Sequence, residues 1–348
     1  MRDGLRDLYS VLKDADAHLR FVFITGVSKF SKVSLFSGLN NLNDITVDPE
    51  YSAICGYTER DVDAVFAPEL PGLDRDRIRR WYNGYNWTGE AVYNPFDLLL
   101  LFQKRQFKPY WFETGTPTFL VELLAQRRFF TPDLARLSSS EELLGAFEVG
   151  DIEPEALLWQ AGYLTIREVR EVSEGQWFYT LGYPNREVEA SLNASLLRVL
   201  GVPLRASGDA RSRLPGLLES GDAAGLEAHL HALFASIPHD WYRNNPLAQF
   251  EGFYASVFYS HLAALGMDTR VEDATNKGRI DLAIRVRGRV FLFEFKVVEQ
   301  VPEGRALAQL LARGYADKYR EPGVEVTLVG VEFSREQRNV VGFEVATG

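Results

Sequence analysis

The stretch from Gly278 to Val298, GRIDLAIRVRGRVFLFEFKVV, decides how the last third of the chain folds. Residues 280–287 and 290–298 read as two strands rich in β-branched and aromatic residues, and Arg287–Gly288 makes the tight turn between them. Side chains alternate across a strand, so Glu294 and Lys296 share one face while Phe291, Phe293 and Phe295 share the other. An acid and an amine two residues apart, backed by a wholly aromatic face, are held side by side on a rigid element. Asp281 lies on the preceding strand and can bring its carboxylate to the same end of the sheet.

Phosphodiester hydrolysis needs this set of groups. Two carboxylates hold a hard divalent cation, Mg²⁺ or Mn²⁺, which keeps several waters. The cation lowers the pKa of a bound water and offsets charge developing at phosphorus. A neighbouring ammonium neutralises a phosphate oxygen or positions the water, although sequence leaves the charge state of Lys296 open. Gln309 and Arg313, four apart on the following helix, project from one face and can reach a phosphate or the attacking water. Glu251 sits among aromatics in FEGFY at the start of a long helix. It reads either as a third acid at the metal or as a first-turn acid facing the helix dipole. The expected catalytic set is therefore Asp281, Glu294, Lys296 and Gln309, with Asp281, Glu294 and Glu251 at the metal.

Around that pair of strands, a helix over Pro246–Leu265 and a strand at 269–273 precede it. A helix over about 303–319 and two alternating segments, VEVTLVGVEF and NVVGFEVA, follow. The order α-β-β-β-α-β-β gives a mixed sheet with helices against it. Upstream, residues 3–18 read as an amphipathic helix and Phe21–Val27 as a buried parallel-type strand. Residues from there to about 130 read as mostly helical, with N-caps at Thr58 and Thr116–Pro117. Pro154 opens a helix followed by a hairpin turning at Ser173–Gly175, similar to the tail of a winged-helix unit, and 186–236 returns to helix. The expected domains are 1–135, 136–237 and 238–348.

A length of 348 residues exceeds one ordinary core. The net charge of −10 argues against a protein that coats nucleic acid. Its distribution is uneven, because residues 240–348 hold 14 Lys+Arg against 15 Asp+Glu while the remainder carries 24 against 33. A near-neutral C-terminal part can present a basic rim around an acidic metal site. One cysteine, Cys55, excludes an internal disulfide framework and the common thiolate zinc sites. The five histidines form no His-x₃-His or His-Glu-x-x-His pattern, and they read as structural or surface residues. No apolar run reaches the ~18 residues of a membrane span, and the charged N-terminus is no signal peptide. A cytoplasmic location follows by elimination.

The Gly278–Asp281 approach, Glu294-Phe295-Lys296 and the helix ALAQLLARGYADKY resemble the PD-(D/E)XK nuclease superfamily. They match its first acid, its E-x-K and its glutamine-bearing motif. The whole chain is similar to a bacterial family joining an AAA-ATPase-like region to such a domain. The segments carrying that likeness include FVFITGVSKFSKVSLFSGLNNLNDIT, CGYTERDV, WYNGYNW, YNPFDLLL, YWFETGTPTFLVELL and QAGYLTI, followed by YTLGYPNREV. The resemblance implies an α/β multi-domain chain: a mainly helical AAA-like remnant, a winged-helix-like middle and a restriction-endonuclease-like core. It implies a nuclease acting on DNA. The family's phosphate loop, G-x-x-x-x-G-K-[ST], occurs nowhere in this chain, so no ATP hydrolysis is expected. Thr25 and Ser28, at the sensor-like strand end, then read as groups satisfying a turn, and Thr114-Gly115-Thr116 as a helix cap rather than an anion site.

The competing reading is a non-catalytic regulatory module, binding nucleic acid or protein on a degenerate nuclease scaffold. DNA is the expected partner, no membrane is expected, and a homo-oligomer or partner chain is compatible with the sequence.

Overall fold

The computed structural model describes residues 7, 11–12, 14–26, 43–113, 118–127, 129–140, 144, 153–238, 251–275 and 278–348. The chain divides into two compact units, Met1–Thr116 with Leu134–Val188, and Pro117–Asp133 with Glu189–Gly348.

In the first unit Thr58 closes a capping box with Asp61 and starts the helix Glu59–Ala64. Helices Arg75–Tyr82 and Pro95–Lys104 follow, the latter opened by an Asn94 side-chain cap and a proline in its first turn. They enclose Val62, Ile78, Tyr82, Tyr93, Leu98 and Leu101, all fully buried. The short strands β1 (Asn83–Tyr85) and β2 (Val92–Tyr93) pair antiparallel beside them. The helix Pro154–Gln160 leads into the hairpin of β4 (Thr165–Ser173) and β5 (Gln176–Gly182). A third strand, β3 (Leu137–Ser140), joins that hairpin along β5.

Two expectations in the N-terminal stretch fare differently. Residues 21–26 of the expected buried strand are irregular and open to solvent, with Phe21 79% and Phe23 52% exposed. A parallel strand is stable only when neighbours cover it, and among the described residues no strand pairs with this one. Of the helix expected over 3–18, residues 7, 11, 12 and 14 are helical and Asp16–His18 is a 3-10 turn. Ser28, Thr114–Pro117 and residues 246–250 of the long helix lie outside the described residues.

The second unit is organised by one mixed sheet in the order β10-β9-β8-β7-β6. Its strands are β6 (Asp268–Thr275), β7 (Gly278–Val286), β8 (Arg289–Val298), β9 (Glu325–Ser334) and β10 (Asn339–Thr347). The β7–β8 turn has φ of +39° at Arg287 and +79° at Gly288, the two left-handed residues that a tight hairpin of matching twist requires. β8 runs antiparallel to β7 but parallel to β9, and a parallel pairing needs a crossover. The helix Arg305–Arg313 and the 3-10 turn Tyr315–Tyr319 lie on that crossover.

One face of β8 presents Phe291, Phe293 and Phe295 to the buried helix Glu251–Leu265, with Phe258 edge-on to Phe293 and Phe295. The opposite face buries Val290 and Leu292 under Leu310, Tyr315, Ala316 and Tyr319. Residues 189–237, read from sequence as part of a connector, belong to the same unit as this sheet. Helix Ala223–Ala235 packs Leu226, Leu230, Leu233 and Phe234 into its core.

Candidate functional site

Glu294 and Lys296 stand on the crossover-helix side of β8, as the alternation of the strand dictates. Glu294 is fully buried. Lys296 Nζ donates to Glu294 Oε1 at 3.0 Å and to the Phe295 carbonyl at 3.1 Å. Glu251, first residue of its helix, approaches the same ammonium at 3.7 Å and accepts from the Val297 amide at 3.4 Å.

The β7–β8 ladder ends at Leu282 opposite Phe293. Beyond that point the Phe295 amide needs another acceptor, and Asp281 Oδ2 supplies it at 2.8 Å. The hydrogen bond carries the Asp281 carboxylate across to the backbone beside Glu294. From the crossover helix, Gln309 Nε2 donates to Glu294 Oε1. The buried Tyr315 lies beside Gln309 and Glu294. Asp281, Glu294, Lys296 and Gln309 are thus brought together, with Glu251 at the lysine's outer side. Arg313 lies exposed one turn beyond Gln309.

Electrostatics decide the protonation states. Burial, reinforced by the charge of Asp281, raises the Glu294 carboxyl to about 7 against the opposing pull of Lys296. For Lys296 burial acts downward, but Glu294, Glu251 and Asp281 together outweigh it and raise the amine above its ordinary value. The charge state left open by sequence is therefore an ammonium. Burial, then the charge of Glu294, also lifts the Tyr315 phenol.

Whether these residues suit a divalent cation turns on one atom. Glu294 Oε2 is buried and has no hydrogen-bond partner among the described residues, an arrangement costly for a carboxylate unless a cation or a proton meets it. Glu294 and Asp281 offer hard oxygen donors to a cation that takes the rest of its shell from water and phosphate. Among the described residues no three carboxylate, imidazole or thiolate groups gather as a ligand set. Asp281 and Glu294 are the acids that meet at the β8 backbone, and Glu251 stands beside them at Lys296 and the Val297 amide.

Two residues escaped the sequence reading. Tyr315 lies six positions past Gln309 and carried no motif of its own. Glu332 is an acid in the otherwise apolar run LVGVEF; it is buried and accepts from the start of the crossover helix. An acid on the inward register of a core strand was the available signal. His229 and His261, read as structural, are buried with their Nε2 atoms 3.1 Å apart. Thr25 is exposed.

The comparisons with known proteins bear on this region and on the N-terminus. A model of the PD-(D/E)XK nuclease superfamily matches residues 249–343, and a model described as a predicted AAA-ATPase matches residues 1–36. A protein of Azotobacter chroococcum mcd 1, described as an uncharacterized protein in the vnfD 5′ region, is 66% identical over 349 aligned positions. The alignment covers 99% of this chain and 67% of that protein. No solved structure matches the chain. No helix among the described residues is long and apolar enough to cross a membrane.

Proposed function

Because the chain belongs to the family that joins a predicted AAA-ATPase region to a C-terminal PD-(D/E)XK nuclease superfamily domain, we propose that its C-terminal unit hydrolyses phosphodiester bonds in DNA. The observation that carries this reading is the buried Oε2 of Glu294, without a hydrogen-bond partner among the described residues and set beside Asp281 and a charged lysine. Asp281 and Glu294 would hold Mg²⁺ or Mn²⁺. The cation, when bound, supplies a water of lowered pKa and offsets charge at phosphorus.

The chain's own residues supply the remainder. Lys296, kept cationic by its three acids, would neutralise a phosphate oxygen or hold the attacking water by donation. Gln309 donates to Glu294 Oε1, so that Oε2 is the oxygen that would meet a cation. Glu251 sets the reach of Lys296 from its outer side. An acidic chain engages a polyanion best through local cations, and Arg313 is an exposed one a turn from Gln309.

Incubating plasmid and linear DNA with the full chain and Mn²⁺ tests this reading. Cleavage is expected, with Asp281→Ala, Glu294→Ala and Lys296→Ala each abolishing it. Cleavage unchanged in all three variants rejects the assignment. Binding of DNA without cleavage or Mn²⁺ uptake turns the site into a recognition module.

A further inference from the structure

Glu332 occupies an unusual position in the second unit. In the parallel β8–β9 pair it lies opposite Lys296, and Gly330 lies opposite Glu294, so both β9 residues share the face of the candidate site. The Glu332 carboxylate is only 2% exposed. It accepts hydrogen bonds from four successive backbone amides, those of Glu303, Gly304, Arg305 and Ala306, at 2.5, 3.1, 2.6 and 3.3 Å. These amides begin the helix Arg305–Arg313, which carries Gln309. Burial pushes the carboxyl upward, but the four amides together outweigh it and hold it below its ordinary value. The negative charge that a helix start attracts is therefore already supplied from within the fold, which excludes this helix end as a seat for phosphate.

A second contact fixes the same helix against the sheet. A Cβ at Gly330 would fall 2.3 Å from the Leu307 amide nitrogen, so the helix backbone rests directly on the strand, opposite Glu294. With its first turn tied to Glu332 and its backbone resting on Gly330, the helix has little freedom to slide. Its Gln309 side chain lands on Glu294 Oε1.

We propose that Glu332 is a positioning residue for the metal carboxylate, acting at a distance by docking the helix whose Gln309 orients Glu294. This rests on the metal-site reading above. Outer-shell groups that orient a ligand typically change metal affinity by about 10–100-fold when removed.

The test is a double-mutant cycle on the full chain, with Mn²⁺ alone as the probe in calorimetric titrations of wild type, Glu332→Gln, Gln309→Ala and the double variant. A carboxamide cannot accept from four amides at once, so Glu332→Gln is expected to weaken Mn²⁺ binding at least about tenfold. In the Gln309→Ala background it should change affinity by less than about twofold, because the path it acts through is already gone. Unchanged affinity in Glu332→Gln, or equal losses in both backgrounds, overturns the proposal.

Should Glu332→Gln fail to fold, Glu332→Asp takes its place in the same cycle, keeping the charge but shortening the reach. If wild type itself takes up no Mn²⁺, the metal reading fails. The cycle read by urea unfolding then judges Glu332 alone, non-additivity supporting its link to Gln309 and additivity removing it.

Discussion

The molecule buries carboxylates in two regions and handles them in opposite ways. In the first unit Asp97 and Glu187 are both fully buried. Asp97 Oδ1 accepts from the Trp111 amide at 2.7 Å and Glu187 Oε1 from the neighbouring Phe112 amide at 3.1 Å. Desolvation raises both; the charge of Asp97 raises Glu187 further, whereas Glu187 lowers Asp97, so the pair keeps a proton, held on Glu187. In the second unit Glu294 Oε1 accepts from the Lys296 ammonium and from Gln309. Burial alone therefore does not mark a reactive acid. Asp97 Oδ2, Glu187 Oε2 and Glu294 Oε2 all lack a hydrogen-bond partner among the described residues, so the difference is that the first cluster holds a proton on Glu187 while the second sets an ammonium beside its acid.

The largest effect expected from this contrast is on stability at alkaline pH. The native pair holds its proton more tightly than the unfolded chain, where a glutamate titrates near 4.5. Its stabilisation is complete below that value and is lost as pH rises through the elevated native range. Each pH unit should remove about 1.4 kcal/mol per shared proton from the first unit. Glu187→Gln, whose carboxamide can still accept from Phe112 and donate to Asp97, should flatten that slope in urea unfolding followed between about pH 6 and about pH 9. An identical slope in the variant would show that the two acids share nothing.

A somewhat smaller effect is expected in the second unit, and here the cation replaces the proton. At about a hundredfold excess over its Kd, Mn²⁺ should stabilise that unit by about 2.7 kcal/mol. Glu294, raised to about 7, must release a proton to ligate metal. The thermal shift given by a fixed Mn²⁺ concentration should therefore shrink as pH falls from about 8 to about 6. A shift independent of pH across that range would place the ion away from Glu294.

The same contrast explains what was legible in the sequence. The β7–β8 hairpin, the aromatic face of β8 and the crossover helix follow from period-two alternation, the Arg287–Gly288 turn and helical periodicity, all local signals. Glu294, Lys296, Asp281 and Gln309 were found because a chemical pattern supplied them, and the sheet brings them together. What the sequence hid depends on register. Glu332 becomes meaningful only once β9 lies parallel to β8 with Gly330 opposite Glu294. Asp97 and Glu187, ninety residues apart in round terms (~90 by their numbering), meet through adjacent amides that no spacing rule links. Phe21–Gly26 failed for the complementary reason, since an apolar run specifies burial without naming what covers it.

The smallest effect is expected at Glu251, where the two regions come closest to resembling each other. Read as a third ligand, Glu251 would complete a cluster of acids like a heavier version of the first unit's pair. Its geometry argues otherwise, because its side chain is 49% exposed and meets Lys296 at 3.7 Å. A contact that open to water is worth about 0.2–1 kcal/mol and weakens with salt. Glu251→Gln should accordingly leave Mn²⁺ affinity within about fivefold of wild type, and the difference should fade at high ionic strength. The same substitution at Glu294, fully buried and proposed as a ligand, should cost far more affinity and be insensitive to salt. A loss at Glu251 as large and as salt-independent as that at Glu294 would make it a direct ligand, and the open second cluster would then be a three-acid site.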